Sequence, residues 1–208
     1  MEKLVHISHA QGTLEGMLKI PPSAQGIVLF AHGSGSSRLS PRNNYVADIL
    51  YAGGIASLLI DLLSLKEDEI YQTRFNISLL VERLKIVTQW LKKNIETKDL
   101  PLGVFGASTG AAAALNLAVD LKRDIKAVVS RGGRPDLAME TLNQVLAPTL
   151  FIVGGNDFGV IELNEEAFKQ LTCKKQFKII PHATHLFEEP GCLEEVAKLA
   201  KEWFMEFL

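Results

Sequence analysis

Short apolar runs alternate with longer amphipathic stretches along almost the whole chain, and few folds accommodate that order. The runs are Ile27–His32, Ala56–Asp61, Leu102–Phe105, Ala127–Ser130, Thr149–Val153 and Phe177–Ile180. Each is close to continuously apolar, as strands of a parallel sheet are when both faces are covered. Between them, Asn76–Ile95 sets Ile77, Leu80, Leu84, Val87, Leu91 and Ile95 on one helical stripe. Cys192–Phe207 does the same with Leu193, Val196, Ala200, Trp203 and Phe207. Weaker helical patterns cover Asn43–Ala52, Thr109–Lys122 and Glu162–Leu171. Leu4–Ser8 and Thr13–Ile20 flank Ala10-Gln11-Gly12, which suggests an antiparallel hairpin at one edge. Strand–helix–strand repetition implies right-handed crossovers and an α/β fold: a mostly parallel twisted sheet with helices on both faces.

No repeat, low-complexity tract or Pro/Ser linker divides the 208 residues, so a single domain spanning 1–208 is expected. With 22 Lys+Arg against 24 Asp+Glu the net charge is −2, and no basic run is present, which argues against a nucleic-acid binder. Leu100–Val119 carries no charge over 20 residues, about the length of a membrane span. Pro101, Gly103, Gly106 and Gly110 lie within it, so a strand, a turn and a helix explain it better than a membrane helix. Cys173 and Cys192 match neither a disulfide scaffold nor a metal site, and two reduced thiols in a cytoplasmic protein are expected. Met1–Gly12 has no apolar run and does not read as a signal peptide. Monomer and homo-oligomer both stay open.

In open α/β sheets ligands sit beyond the carboxyl ends of the strands. One motif stands out there. Gly106-Ala107-Ser108-Thr109-Gly110 follows the apolar run ending at Phe105 and opens an alanine-rich helix. This is the G-x-S-x-G nucleophile elbow in its strand–turn–helix setting. A serine on so sharp a turn needs very small residues two positions to either side, because the chain packs against itself. A plain serine N-cap is the competing reading. A phosphate loop would need Lys where Ala111 stands.

A serine hydroxyl needs a base, and the base needs an acid to fix its tautomer. After Ser108 the first acid just beyond a strand is Asp157, in Gly154-Gly155-Asn156-Asp157. Asp136 and Glu162 compete, the first in the preceding loop and the second reading as a first-turn helix acid. Past the last strand, Pro181-His182-Ala183-Thr184-His185 offers two candidate bases, His182 and His185. For the oxyanion, the amide of Thr109 and the amide of Ser34, in His32-Gly33-Ser34-Gly35, are the expected donors. His32 is expected to brace that loop.

With these residues placed, the chain resembles an α/β-hydrolase of the dienelactone-hydrolase-like branch, over nearly its whole length. The segments that carry the resemblance are His32–Arg38, Gly106–Gly110, Arg131–Asp136, Gly154–Asp157 and Ala183–Gly191. They are most similar to hydrolase domains that occur alone or fused to phosphoribosyltransferase-like domains. The resemblance implies a Ser108–Asp157–His185 triad, with His185 as the base. Dienelactone hydrolases proper carry a cysteine at the elbow; Ser108 stands here, which leaves ester chemistry in general open.

Arg131–Pro148, 18 residues, is all that separates two neighbouring strands, room for one short helix and no lid domain. The expected activity is that of a serine esterase acting on a small ester, lactone or thioester, with neither metal nor organic cofactor. Arg38 and Arg42 after one strand, and Arg131 and Arg134 after another, lie in loops at the active edge, where Arg38, Arg131 and Arg134 could bind an anionic group of the substrate, or form salt bridges within the loops or face solvent. Two rival readings stand beside it: a non-catalytic binding or accessory protein that keeps the fold, and a nucleotide-dependent oxidoreductase, which the glycine spacing at Gly106–Gly110 disfavours.

Overall fold

A computed structural model describes residues 1–208. Eight strands form one sheet in the order β1-β2-β4-β3-β5-β6-β7-β8. β1 (Glu2–His9) and β2 (Gly12–Lys19) pair antiparallel, and β2 runs antiparallel to β4 (Ile55–Ile60). β3 (Gly26–Ala31), β4, β5 (Leu102–Ala107), β6 (Ile125–Arg131), β7 (Thr149–Gly154) and β8 (Lys175–Ile180) are parallel to one another. The expected parallel sheet with an N-terminal hairpin is present, and each predicted strand lies within two residues of its observed bounds.

The alternation of strand side chains divides the core in two. Ile27, Leu29 and Ala31 of β3 face one apolar layer, and Val28 and Phe30 face the other. The first layer is closed by α3 (Ile77–Leu91) and α4 (Thr109–Asp120), the second by α1 (Pro41–Ala52) and α6 (Cys192–Phe207). α4 presents Ala111, Ala112, Ala113 and Ala114, all without exposed surface, so it lies tight against the sheet beneath the elbow. The uncharged stretch 100–119 is thus β5, a turn and α4, and no helix is long and apolar enough to cross a membrane.

Three expectations need adjusting. The stripe of α3 ends at Leu91; the chain then turns, and Ile95 is 77% exposed. α5 spans Phe158–Gln170, starting directly after Asp157, so Glu162 belongs to its second turn and not its first. The stretch between β4 and α3, left unassigned by periodicity, holds α2 (Leu65–Asp68) and a 3-10 turn, Tyr71–Phe75. Another 3-10 segment, Pro135–Gln144, fills the short connection between β6 and β7.

Candidate active site

Ser108 joins β5 to α4 at φ 50°, ψ −122°, a region that strains any residue with a Cβ. Two close approaches impose it. A Cβ on Gly106 would lie 2.4 Å from the Cα of Ala111, and one on Gly110 would lie 2.2 Å from the carbonyl oxygen of Ala31. Both collisions are with backbone, which cannot swing aside. Ser108 occupies the N-cap position of α4 yet makes no capping hydrogen bond, whereas Ser40, Ser64 and Asn76 cap α1, α2 and α3 with their side chains. Its half-buried hydroxyl makes no hydrogen bond within the protein, which sets aside the plain N-cap reading.

Asp157 and His185 meet because two loops interlock. The amides of Gly155 and Asn156 donate to the carbonyls of Ile180 and Ala183 at 2.8 and 2.9 Å. Gly154 allows this: a Cβ there would stand 2.4 Å from the Ala183 carbonyl oxygen. The result is a 2.6 Å contact between His185 Nδ1 and Asp157 Oδ2, the carboxylate 16% and the imidazole 38% exposed. The carboxylate can only accept, so Nδ1–H donates to it and Asp157 holds the imidazole by that nitrogen. His182 is exposed and only its carbonyl is engaged, by the Asn156 side chain. Asp136, the competing acid, is held in a fork by its neighbour Arg134 at 2.8 and 2.9 Å. Ser108 Oγ and His185 share no hydrogen bond here. They touch one shared loop, since Ser108 is bonded to Arg131 and Arg134 while Gly132 packs on the imidazole ring.

His32 braces its loop as expected. The Leu62 amide donates to Nε2 at 3.0 Å, so the ring proton resides on Nδ1, 2.9 Å from the Gly33 carbonyl. Burial holds this imidazole below its ordinary value, despite the Gly33 carbonyl and nearby carboxylates that oppose the shift. Gly33 lies against the elbow: a Cβ there would come within 2.9 Å of Ser108 Cβ. The Ser34 amide, expected to face an oxyanion, donates instead to Thr109 Oγ1 at 2.9 Å. The Thr109 amide opens α4, where helical geometry leaves N–H groups without intrahelical partners.

Of the two readings of the three arginines, engagement within the protein is the one the side-chain contacts favour. The guanidinium of Arg38 pairs with Asp61 and with Glu15, the latter at 2.8 Å, and its amide donates to Asp61 at 2.6 Å. Arg134 is spent on Asp136. Arg131 is buried, 5.7 Å beneath the Phe187 ring, with one 3.3 Å bond to Asn43. Burial, aided by the nearby Arg42 charge, pushes it down to about 10. Sequence spacing places these residues at the right edge, but the carboxylates that claim them come from distant positions such as Glu15 and Asp61. No group of three or more His, Cys, Asp or Glu side chains is arranged to hold a metal ion.

Sheet order and site together define the α/β-hydrolase class. The sequence model of the dienelactone hydrolase family matches residues 46–208, and the chain belongs to that family. It is similar to the crystal structure of a dienelactone hydrolase from Anabaena variabilis, with 55% identity, a TM-score of 0.96, and 100% of this chain and 98% of that one covered. A Mycobacterium tuberculosis protein provisionally named a phosphoribosyl transferase is 55% identical over 193 residues, covering 93% of this chain. This chain spans only 44% of that protein's length. Est1E from Butyrivibrio proteoclasticus shares the fold at a TM-score of 0.84 with 17% identity, 98% of each chain being covered.

Proposed function

We propose that this hydrolase-family chain is a serine hydrolase that cleaves a small ester, lactone or thioester through an acyl-serine intermediate. One observation carries the reading: Ser108 is held on a strained turn with its hydroxyl uncommitted, on the loop that also packs against the imidazole of the Asp157–His185 pair.

In this reading His185 Nε2 takes the Ser108 proton as Oγ attacks the carbonyl carbon, and Asp157 stabilises the imidazolium that forms. The carbonyl oxygen, now an oxyanion, faces the Thr109 amide. The Ser34 amide joins it by exchanging its bond to Thr109 Oγ1 for one to the oxyanion. Collapse expels the alcohol or thiol, which receives the proton from His185. Water then repeats the sequence on the acyl-serine and releases the acid. No cofactor enters these steps. The short 3-10 connection Pro135–Gln144, in place of a lid domain, supports small substrates. The free thiols Cys173 and Cys192 support a cytoplasmic setting.

The reading is tested by fluorophosphonate labelling of wild type beside Ser108→Ala, with peptide mapping. An adduct on Ser108 that the variant lacks is the expected result. A folded wild-type protein that takes no label would refute it and favour the binding-protein alternative.

A further inference from the structure

The Arg131–Arg134 loop touches both halves of the site. The Ser108 amide donates to the Arg131 carbonyl at 3.2 Å, and the Arg134 amide donates to the Ser108 carbonyl at 3.0 Å. Both backbone groups of the strained residue are thus tied to one loop. Gly132, at φ 51°, packs on the base: a Cβ there would lie 3.4 Å from His185 Cε1 and 3.5 Å from Nδ1.

The residue between these contacts, Gly133, is held by a single side chain. Asn164 Nδ2 donates to the Gly133 carbonyl at 2.9 Å and to the Val160 carbonyl, one turn back on α5, at 2.8 Å. Asn164 has no exposed surface, and its Oδ1 has no partner. A buried acceptor left unpaired is unfavourable, and an apolar side chain would avoid it. The other buried residue of α5, Ala167, needs no such bond. What the amide provides is a fixed tether from α5, the helix that begins beside Asp157, to the loop that holds Ser108.

We propose that Asn164 is a positioning residue: through the Gly133 carbonyl it sets the placement of Ser108 relative to the Asp157–His185 pair. The proposal rests on the serine hydrolase reading above. Without the tether the loop shifts, the strained turn relaxes, and the approach of the hydroxyl to His185 is no longer set. Misplacement by about 1 Å costs on the order of a hundredfold in rate.

The test compares Asn164→Ala and Asn164→Asp with wild type and with Ser130→Ala. Ser130 Oγ is also buried, unpaired and packed against Gly133, but it anchors nothing. Steady-state hydrolysis of p-nitrophenyl acetate, the second-order rate of fluorophosphonate labelling and thermal melting are measured on each. The expected result is a 10- to 100-fold fall in kcat and labelling rate for both Asn164 variants, with KM within threefold of wild type. Ser130→Ala should match wild type. In Asn164→Asp a protonated carboxyl can again donate to Gly133, so its activity relative to wild type should rise as the pH is lowered from 8 toward 6.

A folded Asn164→Ala whose kcat and labelling stay within threefold of wild type would overturn the proposal. So would failure of both variants to fold, which would assign Asn164 to stability alone. Absence of label on wild type would instead remove the underlying hydrolase reading, an outcome separable because it needs no variant.

Discussion

Asp157 Oδ2 lies 2.6 Å from His185 Nδ1, and the loops that carry them are laced together by Gly155 and Asn156 on the 180–183 backbone. An amide in place of this carboxylate can donate to Nδ1, which moves the imidazole proton to Nε2, where it cannot accept from Ser108. Asp157→Asn is therefore expected to lower kcat by about 10³–10⁴ while leaving the structure intact. Steady-state kinetics on p-nitrophenyl acetate, with a circular dichroism control, checks this; a loss below about tenfold would contradict the assigned acid.

Gly110→Ala addresses the elbow itself. The new methyl would sit 2.2 Å from the Ala31 carbonyl oxygen and 2.5 Å from that of His32. Overpacking costs about 1–3 kcal/mol when side chains can move, and here backbone must. A loss of at least about 3 kcal/mol, or roughly 6–12 °C in Tm for a chain of this size, is expected by thermal melting.

His32 should make stability depend on pH. Its folded-state value is held below the ordinary 6.5, chiefly by burial, so the unfolded chain binds the proton first. The stabilisation is fully present above 6.5 and declines as the pH falls below it. His9, lowered by burial and by the Arg83 charge, acts in the same direction. Urea denaturation between pH 7.5 and 5 should show falling stability, with a shallower slope in His32→Gln. An unchanged slope would remove His32 as the source.

Glu67 is the counter-ion of the buried Arg83, at 2.8 Å, and also accepts the Ser64 amide at 2.8 Å to close a capping box. Burial alone would raise its carboxyl, but the Ser64 amide and hydroxyl and the Arg83 guanidinium bring it below the usual 4.5. Glu67→Ala should destabilise the protein by about 1–2 kcal/mol, the partial exposure of the carboxylate limiting the effect. The contribution is present above 4.5 and lost as the pH falls, so the gap between variant and wild type, measured by urea denaturation at pH 7 and pH 4, should narrow.

Much of this architecture is legible in the chain because its signals are local. Continuous apolar runs set the parallel strands, and Gly106 and Gly110 announce a turn that admits no Cβ at either position. The α2 segment and the turn Tyr71–Phe75 escaped because their stretch carries no apolar period. α2 is held by Ser64, Glu67 and Arg83, the arginine from another helix, and the turn by Arg74 on Asp68. α5 begins four residues before its apolar pattern does, because Phe158 is 71% exposed and adds nothing to a buried stripe.

The site divides along the same line. The positions of Ser108 and Asp157 just past strands, and of two candidate histidines, His182 and His185, past the last one, follow from the sequence, since each lies beyond an apolar run that has to be a strand. Which histidine pairs with Asp157 depends on loop interlocking 28 residues away in sequence, and only the tertiary structure shows it. The same holds for the arginines, claimed by Glu15, Asp61 and Asp136 or buried under Phe187, and for the Ser34 amide, taken by Thr109. It holds for Asn164 as well, an unremarkable helical asparagine until its amide is seen to grip Gly133. Periodicity and turn chemistry are properties of neighbouring residues and can be read along a chain. Hydrogen-bond partnership at a sheet edge is set by loops from separate crossovers, and it exists only once the sheet has brought them together.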